Sequence, residues 1–144
     1  MNLTRLLEAA DHPLTSEDLE EINSTSTQFD SFIGTKFSKI TPEEVVAQVE
    51  VGPHLFQPVG IVNGGAFAAI AESVGSIAGI VAAGAPVVGV TNSTDFFRSV
   101  KSGVIVATAT PVHLGRTTQL WRIEMLNDDR LVATSSLRTM VMRD

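Results

Sequence analysis

The residues most able to do chemistry lie in one apolar segment, residues 57–79, with the sequence QPVGIVNGGAFAAIAESVGSIAG. Glu72 is the one ionisable side chain in this segment, and the nearest titratable residues beyond it are His54 and Asp95. A buried carboxylate that lacks a partner costs free energy, so a protein keeps one only where something offsets that cost. Glu72 is therefore the first candidate for a catalytic residue.

The same segment predicts a helix whose first turn can bind an anion. Asn63 is a good N-cap, and the Ala-rich run from Gly64 to about Ala83 favours a buried helix that is apolar nearly all round. The backbone N–H groups of Gly64 and Gly65 would be free at the N-terminus, where the helix dipole favours negative charge. Glycine also lets a ligand approach the backbone closely.

The helix sets a fixed distance between the Gly64 N–H and the Glu72 carboxylate. Glu72 lies eight residues after Gly64, which is about 12 Å along the axis, and Ser76 follows one turn later on the same face. One helix cannot easily bring its own Gly64 N–H and its own Glu72 to one reacting atom, whereas two antiparallel copies can. The spacing therefore indicates a site shared between two subunits.

Composition narrows the possible functions. The chain has 144 residues, the size of one domain, and no cysteine, which excludes disulfides, a thiolate nucleophile and cysteine-based zinc sites. No cluster of His, Asp and Glu has metal-ligand spacing, so we expect neither a metal nor another cofactor. The net charge of −6 without a basic run argues against binding to nucleic acid or anionic membranes.

Polar residues interrupt the apolar segment, so we expect no membrane span. The N-terminus also lacks the basic and apolar regions of a signal peptide. The sequence therefore predicts a cytoplasmic protein.

The rest of the chain predicts an α+β fold. Within the polar residues 1–35, Thr15 or Ser16 can cap a helix with acidic residues in its first turn. Residues 52–60 form a loop rich in Gly and Pro. The strand-like segments are residues 43–51, 87–100, 103–114, 117–126 and 130–142. One long buried helix packed on an antiparallel sheet of about five strands accounts for this pattern.

Two motifs resemble the hotdog-fold acyl-CoA thioesterases. The closest branch includes the 4-hydroxybenzoyl-CoA and 1,4-dihydroxy-2-naphthoyl-CoA thioesterases, and the PaaI-like enzymes are more distant. In that branch a Gln precedes the helix, Gly-Gly opens it, and a Glu lies two turns in, followed one turn later by Ser or Thr. Gln57, Gly64, Gly65, Glu72 and Ser76 match this pattern. Residues 112–125, VHLGRTTQLWRIEM, resemble the strand–turn–strand of the branch that lies near CoA, and the similarity extends over residues 40–142.

The resemblance implies a hotdog thioesterase domain over residues 36–144, preceded by a helical extension over residues 1–35, as a single domain overall. It implies hydrolysis of an aromatic or medium-chain acyl-CoA. Glu72 would be the nucleophile or general base, and the Gly64 N–H, with or without that of Gly65, would stabilise the oxyanion. Gln57 would hold the thioester or the attacking water, and Ser76 would orient the carboxylate or the water.

In this family Gln57 and Gly64 come from one subunit, and Glu72 and Ser76 come from its partner. The resemblance therefore implies a homodimer or a homotetramer made of two dimers. The candidates for contact with the substrate are Gly65, Arg98, His113, Gly115, Arg116 and Thr117. Arg116 and Arg98 are either solvated residues or ligands of a CoA phosphate. The pair Phe96–Phe97 belongs either to the core or to the acyl pocket.

One position departs from the family pattern. Relatives usually have His where this sequence has Asn63, which can donate a hydrogen bond to a carbonyl but cannot titrate. Two other functions stay open from the residues alone. They are a non-catalytic acyl-CoA-binding protein and a hotdog hydratase or dehydratase, although the latter use a His with an acid and the helix motif contains no His.

Overall fold

The computed structural model describes residues 2–142. Six antiparallel strands form one sheet in the order β1-β2-β4-β5-β6-β3. The strands are β1 (Thr35–Ile40), β2 (Val45–Glu50), β3 (Val87–Phe96), β4 (Val104–Leu114), β5 (Thr118–Asn127) and β6 (Arg130–Val141). The helices are α1 (Leu3–Leu7), α2 (Ser16–Ser24), α3 (Gln28–Ile33) and α4 (Gly64–Ala83), and a short 3₁₀ helix spans Pro53–Leu55. The sheet wraps around α4, which contacts all six strands.

Most of the predicted elements are confirmed. Helix α4 begins after the N-cap Asn63 and ends at Gly84, which adopts a left-handed conformation, and α2 begins after the N-cap Thr15. The prediction of about five strands missed β1. In β1 a β-bulge falls between Phe37 and Lys39, so the inward residues Phe37 and Ile40 are three positions apart and do not alternate regularly.

The core lies between α4 and the inner face of the sheet. Alternate residues of the central strands are fully buried, among them Ile105, Ala107 and Ala109 on β4 and Trp121, Ile123 and Met125 on β5. Glycine brings the helix close to the strands, since a Cβ at Gly75 would lie 2.5 Å from Leu137 Cδ2. Burial of these apolar surfaces is the main source of stability.

A buried amide fixes α4 along the sheet. Gln119 on β5 is 2 % exposed. Its Nε2 donates to the carbonyl of Gly79 at 3.2 Å, and its Oε1 accepts from Trp121 Nε1 at 3.1 Å and from Thr139 Oγ1 at 2.9 Å. Because a buried polar group left without a partner is costly, this network favours one position of the helix over the strands.

By length and composition α4 could cross a membrane, yet 56 % of that stretch is buried inside the protein. It is the core helix around which the sheet wraps. The burial of its apolar face against six strands accounts for its composition.

The short N-terminal helices pack onto this body. Leu6 of α1 and Ile22 of α2 belong to the core. The guanidinium of Arg5 and the backbone N–H of Thr15, both hydrogen-bonded to Asp18, lower the pKa of that carboxyl group to about 2. These helices therefore share the core of the fold. The predicted boundary at residue 35/36 between a helical extension and the hotdog domain stays a prediction. The predicted end of that domain, residue 144, lies outside the described residues.

Candidate active site

Helix α4 runs antiparallel to strand β3 and packs along its length. At one end, a Cβ at Gly64 would lie 2.8 Å from the ring of Phe96. At the other end, a Cβ at Gly79 would lie 3.0 Å from a methyl group of Val87. The start of α4 therefore lies at the end of β3, and every residue of the helix facing this strand has a fixed position along it.

Glu72 lies against the middle of β3 and is half-buried. Its Oε1 packs on the backbone of Gly89, where any Cβ would overlap it. Its Oε2 accepts a hydrogen bond from Asn92 Nδ2 at 3.1 Å. Strand β3 therefore supplies a polar partner that offsets part of the cost of burying this carboxylate.

A β-bulge in β3 makes this arrangement possible. Gly89 and Asn92 are three residues apart, a spacing that puts two residues on opposite faces of a regular strand. The register of β3 with β6 shifts between Gly89 and Thr91, so both residues face α4. Asn92 is not among the site residues predicted from the sequence. The signal that could have found it is an Asn within a strand, where this residue is uncommon.

The first turn of α4 leaves one backbone donor free. Asn63 Oδ1 accepts a hydrogen bond from the Gly65 N–H at 2.8 Å, which confirms Asn63 as the N-cap. The Gly64 N–H has no hydrogen-bond acceptor among residues 2–142. Of the two predicted oxyanion donors, Gly64 is thus the one available to a ligand.

A cavity of about 380 Å³ opens beside this turn. It brings together Gln57, Gly64 and Arg98, and the guanidinium of Arg98 is held by a hydrogen bond from Nη1 to the Leu131 carbonyl at 2.6 Å. The other lining residues are Ile61, Val62, Phe67, Phe96, Phe97 and Ser99. Phe96 and Phe97 are 55 % and 53 % exposed, so they line this cavity and lie outside the core.

Comparison with known proteins identifies the family. The sequence model of the Thioesterase superfamily matches residues 59–134, just over half of the chain. The chain belongs to the thioesterase superfamily. The match includes the start of α4, Glu72 and all of β3, β4 and β5.

Individual relatives support the same family assignment. Rv1847 of Mycobacterium tuberculosis is 40 % identical over 121 residues, which cover 80 % of this chain and 86 % of that protein. The proofreading thioesterase EntH of Cronobacter turicensis is 35 % identical over 128 residues, with 86 % and 93 % covered. The structure of thioesterase HI1161 from Haemophilus influenzae matches with a TM-score of 0.81 at 33 % identity, with 90 % and 92 % covered. These similarities confirm the hotdog fold and the thioester hydrolase activity.

Within one chain of the thioesterase, the other predicted site residues lie far from Gly64. His113 lies near the end of β4, and the turn from β4 to β5 holds Gly115, Arg116 and Thr117, whose carbonyl accepts from the Val141 N–H at 2.9 Å. Val141 pairs with Val87 at the start of β3, so this turn lies at the opposite end of α4 from Gly64. Gly64 and Glu72 are likewise separated by about 12 Å of helix.

Ser76 lies one turn after Glu72 on the thioesterase helix and is half-buried. Among residues 2–142 its hydroxyl makes no hydrogen bond to the Glu72 carboxylate, which is held by Asn92 instead. The role of Ser76 in orienting the carboxylate or a water stays a prediction.

Two further concave surfaces lie on this thioesterase, one beside α4 and one away from it. A cavity of about 250 Å³ on the other side of the helix start includes Phe29, Phe32, Asn63, Gly65 and Ala69. An open groove of about 940 Å³ over β1 and β2 contains none of the predicted site residues. Within residues 2–142 no group of three or more His, Asp or Glu side chains could hold a metal ion.

We predict that Gly89→Ala lowers turnover of a thioester substrate by about 100-fold, because the new methyl group displaces the Glu72 carboxylate and small misplacements of catalytic groups cost rates of this order. The fold should survive, since Gly89 has no positive φ. The measurement is thiol release together with the melting temperature. Ser136→Ala at an exposed position of the neighbouring strand β6 is the control. Full activity of the Gly89→Ala variant would show that turnover does not depend on the contact between Glu72 and Gly89.

Proposed function

We propose that this thioesterase hydrolyses an acyl-CoA with an aromatic or medium-chain acyl group to the free acid and CoA, in the cytoplasm. The observation that carries the proposal is the carboxylate of Glu72 held against β3 on the helix whose first N–H, at Gly64, is free. A fixed carboxylate and an unoccupied oxyanion donor are the two groups that thioester hydrolysis needs.

A second subunit completes the site in this proposal, and the free edge of β3 is where it would bind. The two edge strands of the sheet differ. Strand β1 carries Lys36 and Lys39, and lysines on an edge strand discourage pairing with another chain. Strand β3 carries no lysine, and it exposes Val88 and Val90 at 39 % and 53 %. An antiparallel pair of β3 strands would cover these residues.

One register of such a pair fits the contacts of α4. Antiparallel pairing centred between Asn92 and Ser93 sets Gly89 of one subunit opposite Phe96 of the other. Glu72 packs on Gly89, and Gly64 packs on Phe96. The pairing therefore brings the partner's Glu72 towards the free Gly64 N–H, with two equivalent sites in each dimer. Two such dimers would form the tetramer.

The same pairing gathers the predicted CoA-binding residues. It sets the partner's Val87 opposite Arg98. In the partner, the turn of Gly115, Arg116 and Thr117, which follows His113 at the end of β4, leads into β5, and β5 lies two strands from β3. Neighbouring strands are about 5 Å apart. Arg98 lies one strand spacing from the partner's β3 and the turn lies two more beyond it, so Arg98 and the partner's turn are roughly 15 Å from each other. Arg98 and the partner's Arg116 would then bind the phosphates of CoA.

The acyl group would lie on the other side of the helix start, away from Arg98. The 250 Å³ cavity there is walled by Phe29, Phe32 and Ala69 and includes Asn63 and Gly65. Phe32 also makes an edge-to-face contact with the ring of His54, with centroids 5.6 Å apart. These aromatic and small apolar walls suit an aryl or medium-length alkyl group.

In the reaction, Gln57 holds the thioester or the water beside Gly64. The partner's Glu72 either attacks the carbonyl carbon, which gives an acyl–enzyme anhydride that water cleaves, or takes a proton from the water that attacks. In both routes the carbonyl oxygen becomes negative and accepts from the Gly64 N–H, and the thiolate of CoA leaves. Ser76 orients the carboxylate or the water.

We predict that Glu72→Gln lowers turnover on every acyl-CoA by at least about 100-fold, as expected for loss of a nucleophile or base. The melting temperature should change little, because the Gln amide oxygen can still accept from Asn92. Thiol release from benzoyl-CoA and hexanoyl-CoA measures the loss. Glu124→Gln is the control, since Glu124 is an exposed strand residue paired with Arg122 at 3.2 Å. Near-normal turnover of the Glu72→Gln variant would remove Glu72 from the mechanism.

We predict separate effects of Asn63 on stability and on rate. Asn63→Ala loses the cap to Gly65, worth about 1 kcal/mol, and also loses an amide donor to the thioester oxygen, so both melting temperature and turnover fall. Asn63→Asp keeps the cap and loses the donor, so turnover alone falls. Asn63→His, the residue usual in the resembling enzymes, keeps turnover on benzoyl-CoA and loses some stability. Full turnover of the Asn63→Ala variant would show that Asn63 acts only as the N-cap of α4.

A further inference from the structure

We propose that Asn92 is a positioning residue for Glu72, and that Thr94 and Ser135 hold its amide in the one orientation that can donate to the carboxylate. The inference rests on the catalytic role proposed for Glu72. It adds three residues from β3 and β6 that neither touch the reacting atoms nor belong to the motif around α4.

Both N–H groups of the Asn92 amide are used on α4. Nδ2 donates to Glu72 Oε2 at 3.1 Å and to the backbone carbonyl of Ala68 at 3.0 Å. Ala68 and Glu72 are one helical turn apart, so this amide spans successive turns of the helix. Asn92 therefore fixes the carboxylate relative to the helix backbone and to β3 together.

The amide oxygen of Asn92 is held from the opposite side. Thr94 Oγ1 donates to Asn92 Oδ1 at 2.8 Å. A hydroxyl has one proton to donate, so the contact of 2.7 Å between Thr94 Oγ1 and Ser135 Oγ is one in which Ser135 donates. Ser135 lies on β6 and is 2 % exposed. The chain of donors thus runs from buried Ser135 through Thr94 to Asn92 and ends on Glu72.

These hydrogen bonds select one orientation of the Asn92 amide. If Asn92 were flipped, its oxygen would face Glu72 Oε2 and the Ala68 carbonyl, which are both acceptors, and its NH₂ would face the Thr94 hydroxyl. The flip would replace two donated hydrogen bonds by two repulsive contacts. Thr94 therefore acts through Asn92, and Ser135 acts through Thr94, to keep a donor aimed at Glu72.

The test compares two variants that remove different hydrogen bonds from the series Ser135–Thr94–Asn92–Glu72. Asn92→Leu removes the donor with little change in size and should lower kcat by about 10- to 100-fold, the range expected for a hydrogen bond to a charged group. Thr94→Val removes one hydroxyl at constant shape and should lower kcat by about 3- to 10-fold. KM for benzoyl-CoA should stay within about 3-fold in both, because neither residue binds substrate.

Controls separate positioning from general damage. Thr134→Val makes the same change at a half-buried position of β6, between the inward residues Ala133 and Ser135, and should leave kcat unchanged. Thr94→Ser restores the hydroxyl and should recover kcat to within about 2-fold. In the Glu72→Gln background Asn92→Leu should cause no further loss, because the group that it positions is already absent.

The outcomes distinguish this inference from the proposed function. If Glu72→Gln is inactive while Asn92→Leu and Thr94→Val keep the parent kcat, the positioning role is wrong and the proposed function stands. A rise in KM at constant kcat would instead make Asn92 a substrate ligand, which also overturns the inference. If Glu72→Gln keeps its turnover, the proposed function fails, and the role of Asn92 fails with it.

Discussion

The packing of α4 along β3 is the contact on which the rest of this thioesterase depends. A helix rises about 1.5 Å per residue, so Gly64 and Glu72 on one chain stay about 12 Å apart whatever surrounds them. The contact with β3 then gives each residue a position on the strand, Gly64 at Phe96 and Glu72 at Gly89. An antiparallel pairing of two β3 strands would convert these positions into distances between subunits, and this conversion is the basis of the proposed dimer.

The same contact explains why small residues are frequent on both sides of it. A Cβ at Gly64 would collide with Phe96 of β3, and a Cβ at Gly89 of β3 would collide with Glu72. The buried amide of Gln119 fixes the C-terminal half of the helix relative to the sheet through its hydrogen bond to the Gly79 carbonyl. Packing and the proposed catalysis therefore constrain the same helix, because a shift that relieved one close contact would also move the Glu72 carboxylate along β3.

Much of the fold and part of the site follow from the sequence. The Ala-rich run after Asn63 predicts α4 with its N-cap, and alternating residues such as Ile105, Ala107 and Ala109 predict the central strands. The two failures, β1 and Asn92, have one physical cause. Each depends on a β-bulge, which shifts the alternation by one residue and is set by pairing with another strand. Local sequence patterns do not indicate such a shift.

The most direct test of the shared site is the activity of a purified mixed dimer. One subunit carries Gln57→Ala, the other carries Glu72→Gln, and different affinity tags on the two chains allow the heterodimer to be isolated. If Gln57 and Gly64 act with the partner's Glu72, one of the two sites keeps all its wild-type groups, and the heterodimer recovers about half of the wild-type turnover although both parent homodimers are inactive. A verified heterodimer as inactive as its parents would show that each site is built from one chain, which would contradict this account.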